Sequence, residues 1–186
     1  MDERPLQQLQ KLRITRLQWK IIFKWALYAV AFLFTLVIQG VILSRHPLFG
    51  VKVNLVPYFV GCVCIIEGAD SGSIFALVVS LAWALAGGDL GFVSILVLTL
   101  GGMALGIAMD NLLRDHVLTC IVCCFVLCLV HESAIFLLRL FLHTVTARQY
   151  FRILVPGVLL GIPSCPVFYY LFRLIHRVGG GSTWSA

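Results

Sequence analysis

In this chain of 186 residues, 61% are hydrophobic and only 12% are charged, whereas a soluble domain carries about 25% charged residues. With a mean hydropathy of +1.02, it reads as one integral membrane domain that leaves little room for a soluble catalytic unit. The net charge of +6 is uneven. Arg4, Lys11, Arg13, Arg16, Lys20 and Lys24 crowd the start, which is a membrane-topology signal and argues against nucleic-acid binding.

Residues 1–20 form a basic N-terminal segment. Leu6, Leu9, Leu12 and Leu17 recur at roughly helical spacing. The segment reads either as a short helix on the cytoplasmic leaflet, with its basic side chains near anionic headgroups, or as the solvated start of the first membrane helix. The apolar run Ile21–Leu43 is longer than the core of a signal peptide. Val41-Ile42-Leu43-Ser44 also lacks a small-residue cleavage site, so the run is expected to stay as an anchor.

Five further apolar stretches follow: Val51–Ile66, Ser73–Ala86, Phe92–Met109, Val117–Phe141 and Ile153–Ile175. A spanning helix needs about 20 residues, so the second and third stretches are short. They are thinned, tilted or extended into their flanks, or else form one re-entrant hairpin that leaves four spans. Glu67-Gly68-Ala69-Asp70-Ser71-Gly72 separates them like a surface turn, which favours six. The expected fold is therefore an all-α integral membrane protein. About six transmembrane helices form one bundle over residues 21–177, followed by a flexible glycine-rich tail over 178–186. With the N-terminus inside, nine basic residues fall in the cytoplasm and five outside (Arg45, Lys52, Arg139, Arg148 and Arg152). Both termini are then cytoplasmic.

Small residues mark helix contacts. Ala76, Ser80 and Ala84 recur every four positions, and Gly102/Gly106 and Gly157/Gly161 form GxxxG steps. Small side chains let helix backbones approach where lipid supplies no hydrophobic drive. Internal packing is the expected use, with a partner-binding face as the alternative. Glu132 is expected deep in the fifth span, beside His131 and near Ser133. A charge at mid-membrane costs about 3 kcal/mol on insertion scales, so Glu132 and His131 form the candidate intramembrane polar site. Cys120, Cys124 and Cys128 share a helix face, with Cys123 alongside and Cys62 and Cys64 in the second span. Zinc would need four converging ligands, and in apolar helices these cysteines are expected to act as small packing residues; no metal or cofactor is expected. Pro156, Pro163 and Pro166 should kink the last span, with a broken helix lining a site as the sharper option.

Enzyme signatures fail at particular positions. His131-Glu132-Ser133-Ala134-Ile135 lacks the second histidine of a zinc-protease helix. Ala69-Asp70-Ser71-Gly72 lacks the first glycine of an intramembrane serine site. No phosphate loop or nucleophile elbow occurs, so a non-enzyme is expected.

Asn54-Leu55-Val56-Pro57 gives an extended, proline-marked start to the second span. Gly68 and Gly72 follow, then Gly87-Gly88-Asp89-Leu90-Gly91, then Gly102 and Gly106, a fifth-span glutamate, and Pro156-Gly157 opening the sixth span. In this pattern, covering roughly Asn54 to Arg177, the chain resembles the bacterial rod-shape-determining MreD family. The resemblance implies a motif loop at Pro57, Gly87, Gly88, Asp89 and Gly91, and a scaffold in the bacterial cytoplasmic (inner) membrane that maintains cell shape during peptidoglycan synthesis. It implies membrane lipid as the surroundings. The implied partners are an MreC-like periplasmic anchor, an MreB-like actin homologue and cell-wall synthases. The family is also similar in fold to the substrate-binding subunits of energy-coupling-factor transporters. A membrane subunit of a vitamin-like small-molecule importer is therefore the alternative function.

Overall fold

The computed structural model describes residues 4–43, 51, 53–87, 91–111, 117–142 and 154–178. Helix α1 runs Arg4–Val37 and continues as a wider π-turn, Ile38–Leu43. Then come α2 (Val56–Leu85), α3 (Gly91–Asn111), α4 (Val117–Phe141), α5 (Val155–Gly161) and α6 (Ser164–Val178). Among the described residues, five helical segments are long and apolar enough to cross a membrane, with α5 and α6 together making the last. The protein is thus a helical, multi-pass membrane protein. The basic segment is continuous with α1 from Arg4 onward. The side chains of that first stretch, Gly88, Asp89 and the tail over 179–186 lie outside the described residues.

The two short stretches expected as separate second and third spans lie in the single element α2, which is not one straight helix. At Gly68 the backbone leaves helical geometry, with φ 80° and ψ −179°. In a straight helix, residues 59 and 75 would be about 24 Å apart. Here the rings of Phe59 and Phe75 are 6.2 Å apart, and a Cβ on Gly72 would come within 2.7 Å of the Cα of Cys64. The arms 56–67 and 69–85 are therefore folded back against each other. Gly68 makes this possible because a residue without Cβ adopts positive φ freely. Pro57 lies in the first turn of α2, where a missing N–H costs nothing.

Both arms pack on α3. Gly102 faces Val60, Cys64 and Ala76, and Gly106 faces the backbone of Ala69. Helix α4 approaches the first arm at Gly61, where a Cβ would sit 2.9 Å from Cys124 Sγ. Proline breaks the last span as expected. Ile162 and Pro163 form a turn between α5 and α6. Local groups take up the freed carbonyls: Ser164 Oγ donates to the Gly161 carbonyl at 2.6 Å, and Cys165 N–H to that of Ile162 at 3.0 Å. On α6, Cys165, Tyr169, Phe172 and Ile175 recur at helical spacing and are buried. They meet Tyr28 of α1 and Phe59 of α2, whose rings, with that of Phe168 on α6 itself, lie within 5.7 Å of Phe172 ring to ring. Such pairs add about 0.5–1.5 kcal/mol each beyond their burial.

Candidate functional site

At one end of the bundle, Glu67 gathers three helices. It is the last residue of the first α2 arm, and its side chain is only 4% exposed. Lys24 of α1 donates to Oε2 at 2.6 Å, Tyr28 of α1 to Oε1 at 2.8 Å, and His176 Nδ1 of α6 lies 3.0 Å from Oε1. A carboxylate taken out of water needs this much pairing to offset its desolvation. Asp110, at the end of α3, closes the same end. Its Oδ2 accepts the N–H of Ala69 at 3.3 Å. That N–H begins the second arm and has no partner within its own helix.

At the other end, a polar chain links α1, the lead into α2, α3 and α4. Gln39, in the π-turn, accepts from the Leu55 N–H at 3.0 Å and donates to Asn54 Oδ1 at 3.1 Å. Asn54 Nδ2 donates to Glu132 Oε1 at 3.0 Å. Glu132 Oε1 is 3.4 Å from His131 Nδ1, and His131 Nε2 is 2.9 Å from Ser94 Oγ. His131 is fully buried, with the Trp83 ring 5.8 Å away. Glu132 and His131, the two residues of the expected polar site, thus lie in one chain of polar contacts. Glu132 is level with Asn54 and Ser94, which begin their own helices. Helix α4, at 25 residues, is about 37 Å long.

The expected small-residue faces are spent inside the bundle. Ala76 and Ser80 are buried, Ala84 is half-buried, and Gly102 and Gly106 are buried against α2. Gly161 lies so close to the Tyr58 ring that a Cβ would overlap it, while Gly157 is half-buried. Tyr58 also donates its hydroxyl to the Val158 carbonyl. Of the motif loop, Pro57 is buried, Gly87 takes a φ of 86°, and Gly91 opens α3. All seven cysteines are buried and free. Helices alone bring thiols together here, without the converging loops that a metal site was expected to require. Cys62, Cys124 and Cys165 place their sulfurs within 4.8 Å of one another.

Sequence reasoning placed Glu67 in a surface turn and missed its role. The available signal was parity: an even number of passes puts Lys24, Glu67 and His176 at one end. Gln39 and Ser94 carried no comparable signal, because their partners lie on helices remote in sequence. Comparison with family models, with curated proteins and with solved structures yields no match.

Proposed function

We propose that this protein is a non-enzymatic scaffold of the bacterial cytoplasmic membrane, with six crossings and cytoplasmic termini, serving cell-wall elongation as the MreD family does. The observation that carries the reading is that Glu67 and Glu132, the two carboxylates drawn into the bundle, are bonded to protein groups. Lys24, Tyr28 and His176 hold Glu67, and Asn54 holds Glu132. These contacts clamp helices together and leave function to the outer faces. The residues that carry the family resemblance sit at turning points and contacts: Pro57 at a helix start, Gly68 at the fold-back, Gly102 and Gly106 where α3 packs on both arms of α2.

Two arguments support six crossings. Lys24 near the chain start and His176 near its end reach the same carboxylate, which requires an even number of passes. The first α2 arm spans about 18 Å, its extended lead 53–55 adds about 10 Å, and the second arm spans about 26 Å. These lengths approach the hydrocarbon thickness of about 30 Å. Outward-facing apolar residues of α1, among them Phe23, Val30, Leu33, Phe34 and Val37, face lipid or a partner helix.

Depletion tests the scaffold reading. Cells lacking the protein should round up, and the tagged protein should co-purify with a coiled-coil periplasmic anchor. Normal rods together with no recovered anchor would overturn it. The polar chain from Gln39 to Ser94 favours the importer subunit as a second reading, and stoichiometric recovery of a small molecule from the purified protein would establish it.

A further inference from the structure

Four thiols from three helices cluster around Cys62 and Cys124 inside the bundle. Cys62 comes from the first arm of α2, Cys120 and Cys124 lie one turn apart on α4, and Cys165 is the second residue of α6. The Sγ of Cys62 is 3.6 Å from that of Cys120 and 3.6 Å from that of Cys124, and the Cys120–Cys124 separation is 3.9 Å. Cys165 adds a fourth sulfur from α6, within 4.8 Å of those of Cys62 and Cys124 but farther than that from Cys120. All four residues have no exposed surface, and none is in a disulfide.

A tetrahedral thiolate site with metal–sulfur bonds of about 2.3 Å has sulfur–sulfur edges of about 3.8 Å. Three edges of this cluster already have that length. Packing as small hydrophobic side chains explains why a cysteine is buried. It does not explain four of them converging from three helices, when Cys64 of the same arm turns away to the Gly72 carbonyl at 3.3 Å.

We propose that Cys62, Cys120, Cys124 and Cys165 bind one thiophilic d10 cation, Cu(I) or Zn(II). Soft sulfur donors select these ions over Mg(II) and Ca(II), which take oxygen. Each sulfur that binds as a thiolate releases its proton to solvent as the ion binds, and a sulfur that keeps its proton binds as a neutral donor. Four thiolates around Zn(II) leave a net charge of −2, whereas two thiolates on Cu(I), with the other two sulfurs still protonated, leave −1. Burying the smaller charge costs less, which favours Cu(I). Cys165 directly follows the turn at Ile162 and Pro163, so one ligand sits beside the interruption of the last span.

The test uses the full-length, reduced protein in detergent without oxygen. Cu(I) is titrated in competition with a chromophoric chelator, and Co(II) serves as an optical stand-in for Zn(II). The expected result is one equivalent bound per chain and a thiolate-to-metal charge-transfer band. Cys62→Ser, Cys124→Ser and Cys165→Ser should each weaken binding at least about tenfold, the loss seen even for groups that only support a metal ligand. Cys64→Ala and Cys123→Ala should bind as the parent does. Failure of the folded parent to bind either ion, with its seven thiols shown to be reduced, overturns the proposal without any variant. Binding that survives unchanged in Cys62→Ser and Cys165→Ser overturns it as well.

Discussion

Gly106→Ala isolates the closest backbone approach in the bundle. An added Cβ would sit 2.5 Å from the Cα of Ala69, 2.7 Å from its N and 3.0 Å from the carbonyl carbon of Gly68. These are backbone atoms at the α2 fold-back and cannot rotate away. Relief requires α3 to separate from the hairpin by about 1 Å, and overpacking of this kind costs about 1–3 kcal/mol. At about 1.4 kcal/mol per decade, that is a fall of about 5- to 150-fold in the folded-to-unfolded ratio. Gly101→Ala meets only the end of the Leu127 side chain, and Gly40→Ala meets nothing within 4 Å. Reversible unfolding in mixed micelles should therefore rank Gly106→Ala as clearly destabilised, Gly101→Ala as milder and Gly40→Ala as neutral. If Gly106→Ala unfolds with the parent, α3 does not rest on the hairpin. The GxxxG step would then be free for a partner helix, and the internal assignment would fail.

Gly68→Ala should lose about 1–3 kcal/mol in the same assay, because ψ of −179° with φ of 80° is open only to glycine; unchanged stability would mean a different turn. Glu67→Ala should destabilise by about 3–5 kcal/mol, the cost of stranding a buried partner. Its loss should exceed that of Glu132→Ala, whose side chain is 29% exposed; the reverse order would disqualify the three-helix clamp. Glu132→Gln keeps an acceptor for Asn54, whereas Glu132→Leu removes it at about 1–3 kcal/mol. Equal stability of the two, read by thermal unfolding, would remove Asn54 from the account. Reporters fused before Arg4 and after Val178 should signal from the same side of the membrane, and opposite signals would require an odd number of crossings.

Most of the architecture is legible from hydropathy alone. The ranges of α3 and α4 follow from apolar runs, and the interruption of the last span from Pro163. The fold-back was visible as Gly68 and Gly72 beside polar residues. Helical hydrogen bonding nevertheless runs close up to Gly68 from both sides, so the element is compact where a loop was expected. The polar sites were half legible. Glu132 and His131 stand out because they interrupt an apolar run. Glu67 does not, since at the end of a run it looks like an ordinary boundary residue. Its importance comes from Lys24, 43 positions before it, and His176, 109 after it. The cysteine cluster was illegible for the same reason. Cys120 and Cys124 announce themselves by helical spacing, while Cys62 and Cys165 reach them only through the packing of α2 and α6 on α4.

The Glu67 contacts also set an order of assembly. Lys24 and Tyr28 are made first, Glu67 leaves the ribosome next, and His176 comes almost last. As the first arm enters, its carboxylate meets an ammonium and a phenol already in place, so the short arm is held by its charged tip before α3 exists. The histidine then arrives on α6, together with Phe172, whose carbonyl lies 3.5 Å from the same tyrosine hydroxyl. A nascent chain halted before Ser164 should hold the hairpin against α1 yet leave that end of the bundle open. Closure of that end then waits for α6.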